Sequence, residues 1–148
     1  MKGWLLDTNI FSELRRPRPE PRVVQFVGGQ PLELLYVSDV TFAEIRFGIE
    51  LVEDPARRAE LLDWLTHKIR PMFAQRTLPI SEDVMLKWRL LIEAGRKAGH
   101  PYSQPDLIIA ATALNHGLTV VTRDRSEYDK AGAPVLQPWT DPLPQSSG

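Results

Sequence analysis

Residues 118–122, Leu118-Thr119-Val120-Val121-Thr122, form the clearest β-strand pattern in the chain, because β-branched side chains fill a short apolar run. Further short apolar runs lie at 4–6, 34–37, 77–80 and 134–136. Between them, apolar residues recur at helical spacing, which predicts helices over 9–16, 40–52, 55–69, 82–98 and 105–115. Strands that alternate with helices predict an α/β fold: a central, mainly parallel sheet with helices on both faces.

Prolines and glycines mark the breaks between these elements. Pro71 is expected to end the helix over 55–69, and Gly117 the helix over 105–115. Pro79 indicates that the run at 77–80 is an edge strand. The stretch Pro17-Arg18-Pro19-Glu20-Pro21 is predicted to be a loop.

The size and composition of the chain predict one globular domain. Its 148 residues are 43% hydrophobic and 25% charged, so we expect a single domain over residues 1–140 and a flexible C-terminal tail over 141–148. No run approaches the length of about 18 apolar residues that spans a membrane. An aspartate already stands at position 7, before a signal-peptide core could form. We therefore expect a soluble, cytoplasmic protein.

Two features of the composition restrict the chemistry. The absence of cysteine excludes a disulfide scaffold, a thiolate zinc site and a cysteine nucleophile. The net charge of −1 gives no global attraction for nucleic acid. Basic residues are nevertheless unevenly distributed, since four of the thirteen arginines crowd residues 15–22. Any phosphate binding would have to come from such a local patch.

Four acidic residues stand where the predicted strands end or the next helices begin. Asp7 follows the run at 4–6, and Asp124 comes just past the strand at 118–122. Glu44 and Asp106 lie in the first turns of two predicted helices. Strand carboxyl ends and the following helix N-termini meet at one edge of such a sheet. The four carboxylates are therefore expected to converge on one cleft.

Ordinary structural roles explain the same residues. Thr41-Phe42-Ala43-Glu44 and Ser103-Gln104-Pro105-Asp106 both match the capping-box pattern, in which a carboxylate accepts from a free helix amide. Asp7 is a candidate cap for the first helix, and Asp124 a candidate turn residue. Both interpretations remain open at this stage.

Convergence would restrict the chemistry sharply. Clustered carboxylates repel one another, and a hard divalent cation relieves that repulsion. An all-oxygen ligand set favours Mg²⁺ or Mn²⁺ over zinc. Carboxylate-held ions of this kind activate water and bind phosphate oxygens. The residue types therefore indicate a metal-dependent phosphodiesterase, without indicating its substrate.

Four segments taken together resemble the PIN-domain ribonucleases, in particular the VapC-type (FitB-like) toxins of bacterial type II toxin–antitoxin systems. They are Leu5-Leu6-Asp7-Thr8-Asn9-Ile10, residues 38–45, residues 105–113 and Val121-Thr122-Arg123-Asp124. Their order fits over residues 3–139, including a closing Gln137-Pro138-Trp139 where relatives often carry Asn-Pro-Trp.

The resemblance implies a PIN-like three-layer sandwich and a Mg²⁺- or Mn²⁺-dependent endoribonuclease that cleaves RNA. It also implies a homodimer and a small, DNA-binding antitoxin of the VapB or FitA type. Such an antitoxin wraps the toxin and blocks the acidic cleft, often with a basic side chain, in a heterotetramer or larger assembly.

Carried over by position, the resemblance also implies a set of site residues. Asp7, Glu44 and Asp106 match the family's acidic residues, with Asp7 and Asp106 as direct metal ligands. The fourth acid is either Asp124 or Glu127, the latter followed by an aromatic, Tyr128, as in relatives. Glu44, Asp124 and Glu127 are further candidate ligands. Three polar positions would orient ligands or phosphate: Thr8, Asn9 and Thr122.

Two alternatives compete with this interpretation. One is a catalytically inactive PIN-like module that only binds RNA or protein. The other is a phosphatase of the haloacid-dehalogenase type, which needs a second aspartate two residues after the first, where this chain has Asn9. Metal-dependent cleavage of RNA would separate the endoribonuclease from both.

Overall fold

A computed structural model describes residues 3–99 and 104–144, apart from the side chain of Gln104. The strands are β1 (Trp4–Leu6), β2 (Leu35–Ser38), β3 (Thr77–Leu78), β4 (Thr119–Val121) and β5 (Val135–Leu136). The helices are α1 (Thr8–Leu14), α2 (Pro21–Gly29), α3 (Asp39–Glu50), α4 (Pro55–Trp64), α5 (Arg70–Met72), α6 (Glu82–Ala98), α7 (Gln104–His116) and α8 (Ser126–Ala131). A 3₁₀ turn (Leu32–Leu34) precedes β2, and a π-helical turn (Leu65–Ile69) joins α4 to α5.

The five strands form one parallel sheet in the order β3-β2-β1-β4-β5. This confirms the predicted α/β fold and the edge position of β3. The chain winds outward from β1 through β2 to β3, then returns to add β4 and β5 on the opposite side of β1. The direction of winding therefore switches between β1 and β4. The carboxyl ends of the strands beside such a switch point are where ligands bind in sheets of this type.

Helices cover both faces of the sheet, because alternate strand residues enter two separate cores. In β1, Trp4 and Leu6 pack into one core with residues of α1 and α2, while Leu5 packs into the other with residues of α7 and α8. Every residue of β1 is buried. Such near-continuous burial is typical of a parallel sheet covered on both sides.

Three local features differ from the sequence prediction. Helices α2 and α8 were not predicted. Helix α2 begins at Pro21, inside the stretch predicted to be a loop, and ends in two glycines, whereas α8 has only six residues. The prediction that Pro71 ends the third helix was wrong, because α5 continues through it. Pro71 lies in the first turn after the wider π-helical turn, where its missing N–H leaves no helical hydrogen bond unmade.

The described segments contain no helix that combines the length and the apolarity needed to cross a membrane. The predicted domain boundary at residue 140 stays a prediction. Asp141, just beyond it, accepts hydrogen bonds from the Gln137 N–H and from the Arg125 guanidinium.

The backbone at Gly3 gives a first testable expectation. Gly3 has φ of +133°, and a Cβ there would lie 2.8 Å from the Leu34 carbonyl oxygen and 3.0 Å from the Tyr36 ring. Gly3→Ala should therefore lower the free energy of unfolding by about 1–3 kcal/mol, measured by urea denaturation.

Gly48 supplies the matched control, because it lies within α3 and a Cβ there would meet nothing within 4 Å. Gly48→Ala should raise stability by about 0.5–1 kcal/mol, as helix propensity dictates. Equal stability of the two variants would contradict the strain assigned to Gly3.

Candidate active site

Asp7 lies at the carboxyl end of β1, where it caps α1 and is only 5% exposed. Its Oδ1 accepts from the Thr8 N–H at 2.7 Å. Its Oδ2 accepts from the Thr122 hydroxyl at 2.8 Å and from the Tyr128 hydroxyl at 2.9 Å. The predicted capping role of Asp7 is therefore confirmed, and the same carboxylate is also tied to the segments that follow β4.

Tyr128 brings a second carboxylate to Asp7. Its hydroxyl oxygen also lies 3.3 Å from Oδ1 of Asp106, in the first turn of α7. A phenol has a single proton to donate, so two carboxylates share one donor here. Asp7 and Asp106, which are far apart in the sequence, thus meet on the same hydroxyl group.

Glu44 is the third member of this acidic centre. It projects from α3, and its Oε1 accepts from the Thr8 hydroxyl at 3.1 Å. The negative charges of Asp7 and Asp106 both act on its carboxyl group and raise its pKa. Asp7 and Asp106 therefore lie close enough to Glu44 to raise its pKa. We refer to Asp7, Glu44 and Asp106 as the acidic centre.

Burial is the main cause of the pKa shifts at this centre. Desolvation raises the pKa of Asp7, although the hydrogen bonds from Thr122, Thr8 and Tyr128 oppose that effect. Desolvation is also the largest cause of the raised pKa of Glu44. The pKa of Tyr128 is raised far above its usual range, by burial and by the adjacent carboxylates. Tyr128 therefore stays a neutral hydrogen-bond donor at any physiological pH.

The three predicted polar positions form the frame of the centre. Thr8 bridges Asp7 to Glu44, as described above. Asn9 donates from Nδ2 to the Thr122 hydroxyl oxygen at 3.1 Å, and its Oδ1 accepts from the Arg123 N–H at 3.1 Å. Both ends of the Asn9 side chain are thus engaged in joining α1 to the end of β4.

The two candidates for the fourth acid have different surroundings. Oδ1 of Asp124 accepts from the N–H of Ser126 at 3.4 Å and from its hydroxyl at 3.1 Å, which confirms the predicted turn role. Oε2 of Glu127 is buried and, among the described residues, has no hydrogen-bond partner. The carboxylates whose charges raise the pKa of Glu44 are Asp7 and Asp106 alone. The structure thus joins three of the predicted acids and leaves the choice of a fourth a prediction.

The capping-box alternative is wrong for Glu44. Helix α3 begins at Asp39, and Ser38 caps it by accepting from the Val40 N–H at 3.0 Å. Thr41 and Glu44 are therefore the third and sixth residues of the helix, whereas a capping box needs them at the cap and the third position. Ser103, the predicted partner of Asp106, lies outside the described residues.

Tyr128 is the site residue that sequence reasoning did not select. It is fully buried on α8, and its hydroxyl joins the two aspartates. Its one sequence signal was the position after Glu127, where relatives carry an aromatic residue. No periodicity marks it, because α8 has only six residues.

The donor set of the acidic centre fits a hard divalent cation. Its three carboxylates offer only oxygen atoms, and two of them have raised pKa values that a cation would lower again. Within the described ranges, no three His, Cys, Asp or Glu side chains are already grouped as a ready-made ligand set.

An apolar groove of about 320 Å³ opens beside Glu44 and Thr8, between α1, α3 and α4. A second cavity of about 290 Å³ adjoins it, and both are lined by Phe11, Arg15 and Trp64. The Arg15 guanidinium stacks on Trp64 at 4.9 Å from the ring centre. Its Nε is buried, with no acceptor among the described residues.

Comparison with known proteins agrees with this geometry. The PIN domain family matches residues 4–133 of the chain. The chain is similar to the toxin FitB of Neisseria gonorrhoeae, with 39% identity over 93% of this chain and 99% of that protein. It is also similar to the VapC ribonuclease Y4jK of Sinorhizobium fredii, with 36% identity over 91% of this chain and 96% of the relative.

A solved structure shows the same fold. The crystal structure of FitAcB from Neisseria gonorrhoeae superposes with a TM-score of 0.88 and 38% identity. The match covers 92% of this chain and 98% of the other. The order of strands and helices is thus shared over almost the whole length of both chains.

The raised pKa of Glu44 predicts how stability depends on pH in metal-free protein. A carboxyl with a raised folded-state pKa destabilises the fold as pH rises above its ordinary value of 4.5. Glu44→Gln removes that charge while its amide oxygen still accepts from Thr8. The variant should therefore unfold at higher temperature than wild type at neutral pH, in the presence of chelator, and the difference should vanish in acid.

Glu13→Gln is the control of opposite sign. The Glu20 N–H and then Arg16 hold the pKa of Glu13 below its ordinary value, so that carboxylate stabilises the fold at neutral pH and loses its effect in acid. Glu13→Gln should lower the melting temperature at neutral pH. A lowered melting temperature for both variants would refute the desolvation assigned to Glu44.

Proposed function

Because this chain belongs to the PIN-domain family, we propose that it is a Mg²⁺- or Mn²⁺-dependent endoribonuclease and the toxin of a VapBC-type pair. The observation that supports this most directly is the shared hydroxyl of Tyr128, which holds Asp7 and Asp106 together beside Glu44. These residues come from three separate parts of the chain and meet at the topological switch point. Neither helix capping nor turn formation requires that meeting.

In this proposal Asp7 and Asp106 would hold the metal ion, with Glu44 as a further ligand. When bound, the ion would supply positive charge for phosphate oxygens and lower the pKa of a water molecule. The surrounding residues keep the carboxylates in place: Thr122 and Tyr128 orient Asp7, and Thr8 orients Glu44. Tyr128 stays neutral, and its hydroxyl lies 2.9 Å from Asp7 and 3.3 Å from Asp106.

The haloacid-dehalogenase alternative fails at Asn9. That chemistry needs a carboxylic acid two residues after the first aspartate, to give a proton to the leaving group. Here an amide occupies the position, and both of its ends are hydrogen-bonded to Thr122 and Arg123. An amide has no proton to give at neutral pH, so this interpretation is rejected.

The direct test is cleavage of RNA together with thermal melting. Wild-type protein should cleave single-stranded RNA with Mg²⁺ or Mn²⁺ and stop when a chelator is added. Asp106→Asn should reduce cleavage by orders of magnitude because a metal ligand is lost. Without metal, that variant should melt at the same temperature as wild type or higher, since like-charge repulsion is relieved. Added Mg²⁺ should raise the melting temperature of wild type more than that of the variant.

Glu93→Gln is a suitable control, because Glu93 is an exposed carboxylate paired with Arg96 on α6. It should retain wild-type cleavage and the full response to Mg²⁺. Cleavage that persists in excess chelator would contradict the metal mechanism. Binding of RNA without cleavage under any metal condition would favour the inactive PIN-like module instead.

The exposed side of α3 supports an assembled protein. Val40, Phe42 and Ile49 are buried in the core, whereas Phe47 and Leu51 are each 65% exposed and lie one helical turn apart. Large apolar side chains exposed side by side are typical of interaction surfaces. We assign this face of α3 to a second copy of the chain.

The groove beside Glu44 is assigned to the antitoxin. Its apolar walls fit the hydrophobic face of a peptide segment, and Arg15 and Glu44 both line it. Glu44 also belongs to the acidic centre, where a basic side chain of the antitoxin would neutralise carboxylates. The proposed occupant would therefore cover the route to the active site.

Phe47→Glu tests the assignment of α3. A charge at this position should disfavour association, so light scattering at micromolar concentration should show a smaller mass than for wild type. Leu86→Glu on α6 is the comparison, because Leu86 is also exposed, at 60%, on a different helix. If only Leu86→Glu loses association, the dimer surface lies on α6 and the assignment to α3 is wrong.

A further inference from the structure

Three arginines line an open pocket of about 360 Å³ on the opposite side of α1 from the apolar groove. They are Arg16 and Arg18, which follow α1, and Arg123, which follows β4. The rest of the lining consists of Trp139, two carboxylates (Glu13 and Glu20) and two prolines (Pro19 and Pro21). We call this feature the arginine pocket. The sequence showed a crowding of arginines at 15–22, and the fold adds Arg123 to it from a distant part of the chain.

The wall of the pocket that carries Arg18 is held by a buried carboxylate. Glu13 is 5% exposed, its Oε2 accepts from the Glu20 N–H at 2.9 Å, and its Oε1 accepts from Arg16 at 3.3 Å. The loop between Arg16 and Glu20 also contains two prolines, which restrict its backbone. Arg16 and Arg18 therefore lie in a loop that has little backbone conformational freedom to lose on binding.

The opposite wall is connected to the acidic centre. The Arg123 guanidinium lies over the Trp139 ring, 5.2 Å from its centre. The Arg123 N–H donates to Asn9, whose amide donates to Thr122, which in turn donates to Asp7. Arg123 therefore comes directly after a residue that contacts the acidic centre, and its exposed side chain points into the pocket.

We propose that the arginine pocket binds a phosphate group of single-stranded RNA, one that flanks the phosphodiester at the acidic centre. This inference rests on the proposed endoribonuclease function. The chain has a net charge of −1, and three carboxylates surround the reacting position, so a polyanion needs local attraction elsewhere. Guanidinium groups pair with phosphate oxygens in bidentate fashion, and Trp139 offers a ring on which a base can stack.

Charge supports a phosphate over an acidic peptide as the occupant. Of the two carboxylates that line the pocket, Glu13 and Glu20, Glu13 is buried and already engaged by Arg16 and by the Glu20 N–H. Arg18 and Arg123 thus present cationic groups on either side of the opening. The pocket lies on the opposite side of α1 from the groove assigned to the antitoxin, so RNA can occupy it without competing for that groove.

The test combines cleavage kinetics with binding of a fluorescently labelled single-stranded oligoribonucleotide of mixed sequence. Arg18→Gln and Arg123→Gln should each raise KM by roughly tenfold and leave kcat unchanged. Each removes a charge-assisted contact that the bound substrate and the transition state share. Each should also reduce the slope of log affinity against log salt by about 0.7. Arg89→Gln, an exposed arginine of α6, is the charge-matched control and should behave as wild type.

Two further measurements guard against a purely structural effect. Arg123→Lys keeps the charge but loses the planar stack on Trp139, so it should recover the salt slope and only part of the affinity. Arg18 lies in the exposed loop, so Arg18→Gln should melt at the wild-type temperature. A rise in KM that accompanies a lowered melting temperature in both glutamine variants would overturn the proposal.

Binding measured in the Asp106→Asn background separates this inference from the proposed function. If wild type cleaves RNA but the arginine variants bind it with unchanged affinity and salt slope, the pocket proposal alone fails. If wild type cleaves no RNA, the nuclease proposal fails, and loss of oligoribonucleotide binding in the arginine variants still supports the pocket. If the arginine variants lose antitoxin binding but keep the wild-type affinity for RNA, the occupant is an acidic peptide and the proposal is overturned.

Discussion

The buried carboxylate of Asp7 is the constraint on which the rest of this structure depends. Burying a charge costs several kcal/mol unless hydrogen bonds replace the lost water. Three donors do so here, and each comes from a different element: the first amide of α1, Thr122 at the end of β4 and Tyr128 of α8. The compensation is incomplete, since the pKa of Asp7 remains raised. The fold thus retains an electrostatic cost at the switch point, where a bound cation would relieve it.

The meeting of Asp7 with Asp106 followed from the sequence, because parallel topology sends strand ends and helix starts to one edge. The hydrogen bonds of individual side chains and the shortest helices could not be predicted in the same way. Both a turn role and a site role were open for Asp124, and its hydrogen bond from the hydroxyl of Ser126, two residues away, could not be read from the sequence. Tyr128 was missed because a six-residue helix has too few buried positions to show a period. Helix α2 was missed because it begins at a proline of the predicted loop and ends in two glycines, residues that disfavour a helix in the sequence.

The seven residues of helix α1 contribute to three different surfaces. Its first turn, with Thr8 and Asn9, frames the acidic centre. The side that carries Phe11 and continues to Arg15 faces the apolar groove, whereas Glu13 faces the arginine pocket. Residues three or four apart share a helix face, so this division follows from helical geometry alone. The proposed antitoxin and the proposed RNA would thus approach opposite sides of one short element.

The hydrogen bonds of Asp7 also have a consequence for the order in which the protein is made. Thr122 and Tyr128 lie 115 and 121 residues further along the chain. Contacts of such long range form late in folding, and a chain emerges from the ribosome from its amino end. A nascent polypeptide therefore carries Asp7 and Glu44 long before the residues that orient Asp7 exist. Translation that terminates before Thr122 therefore releases a product in which Asp7 lacks the hydroxyl donors of both Thr122 and Tyr128.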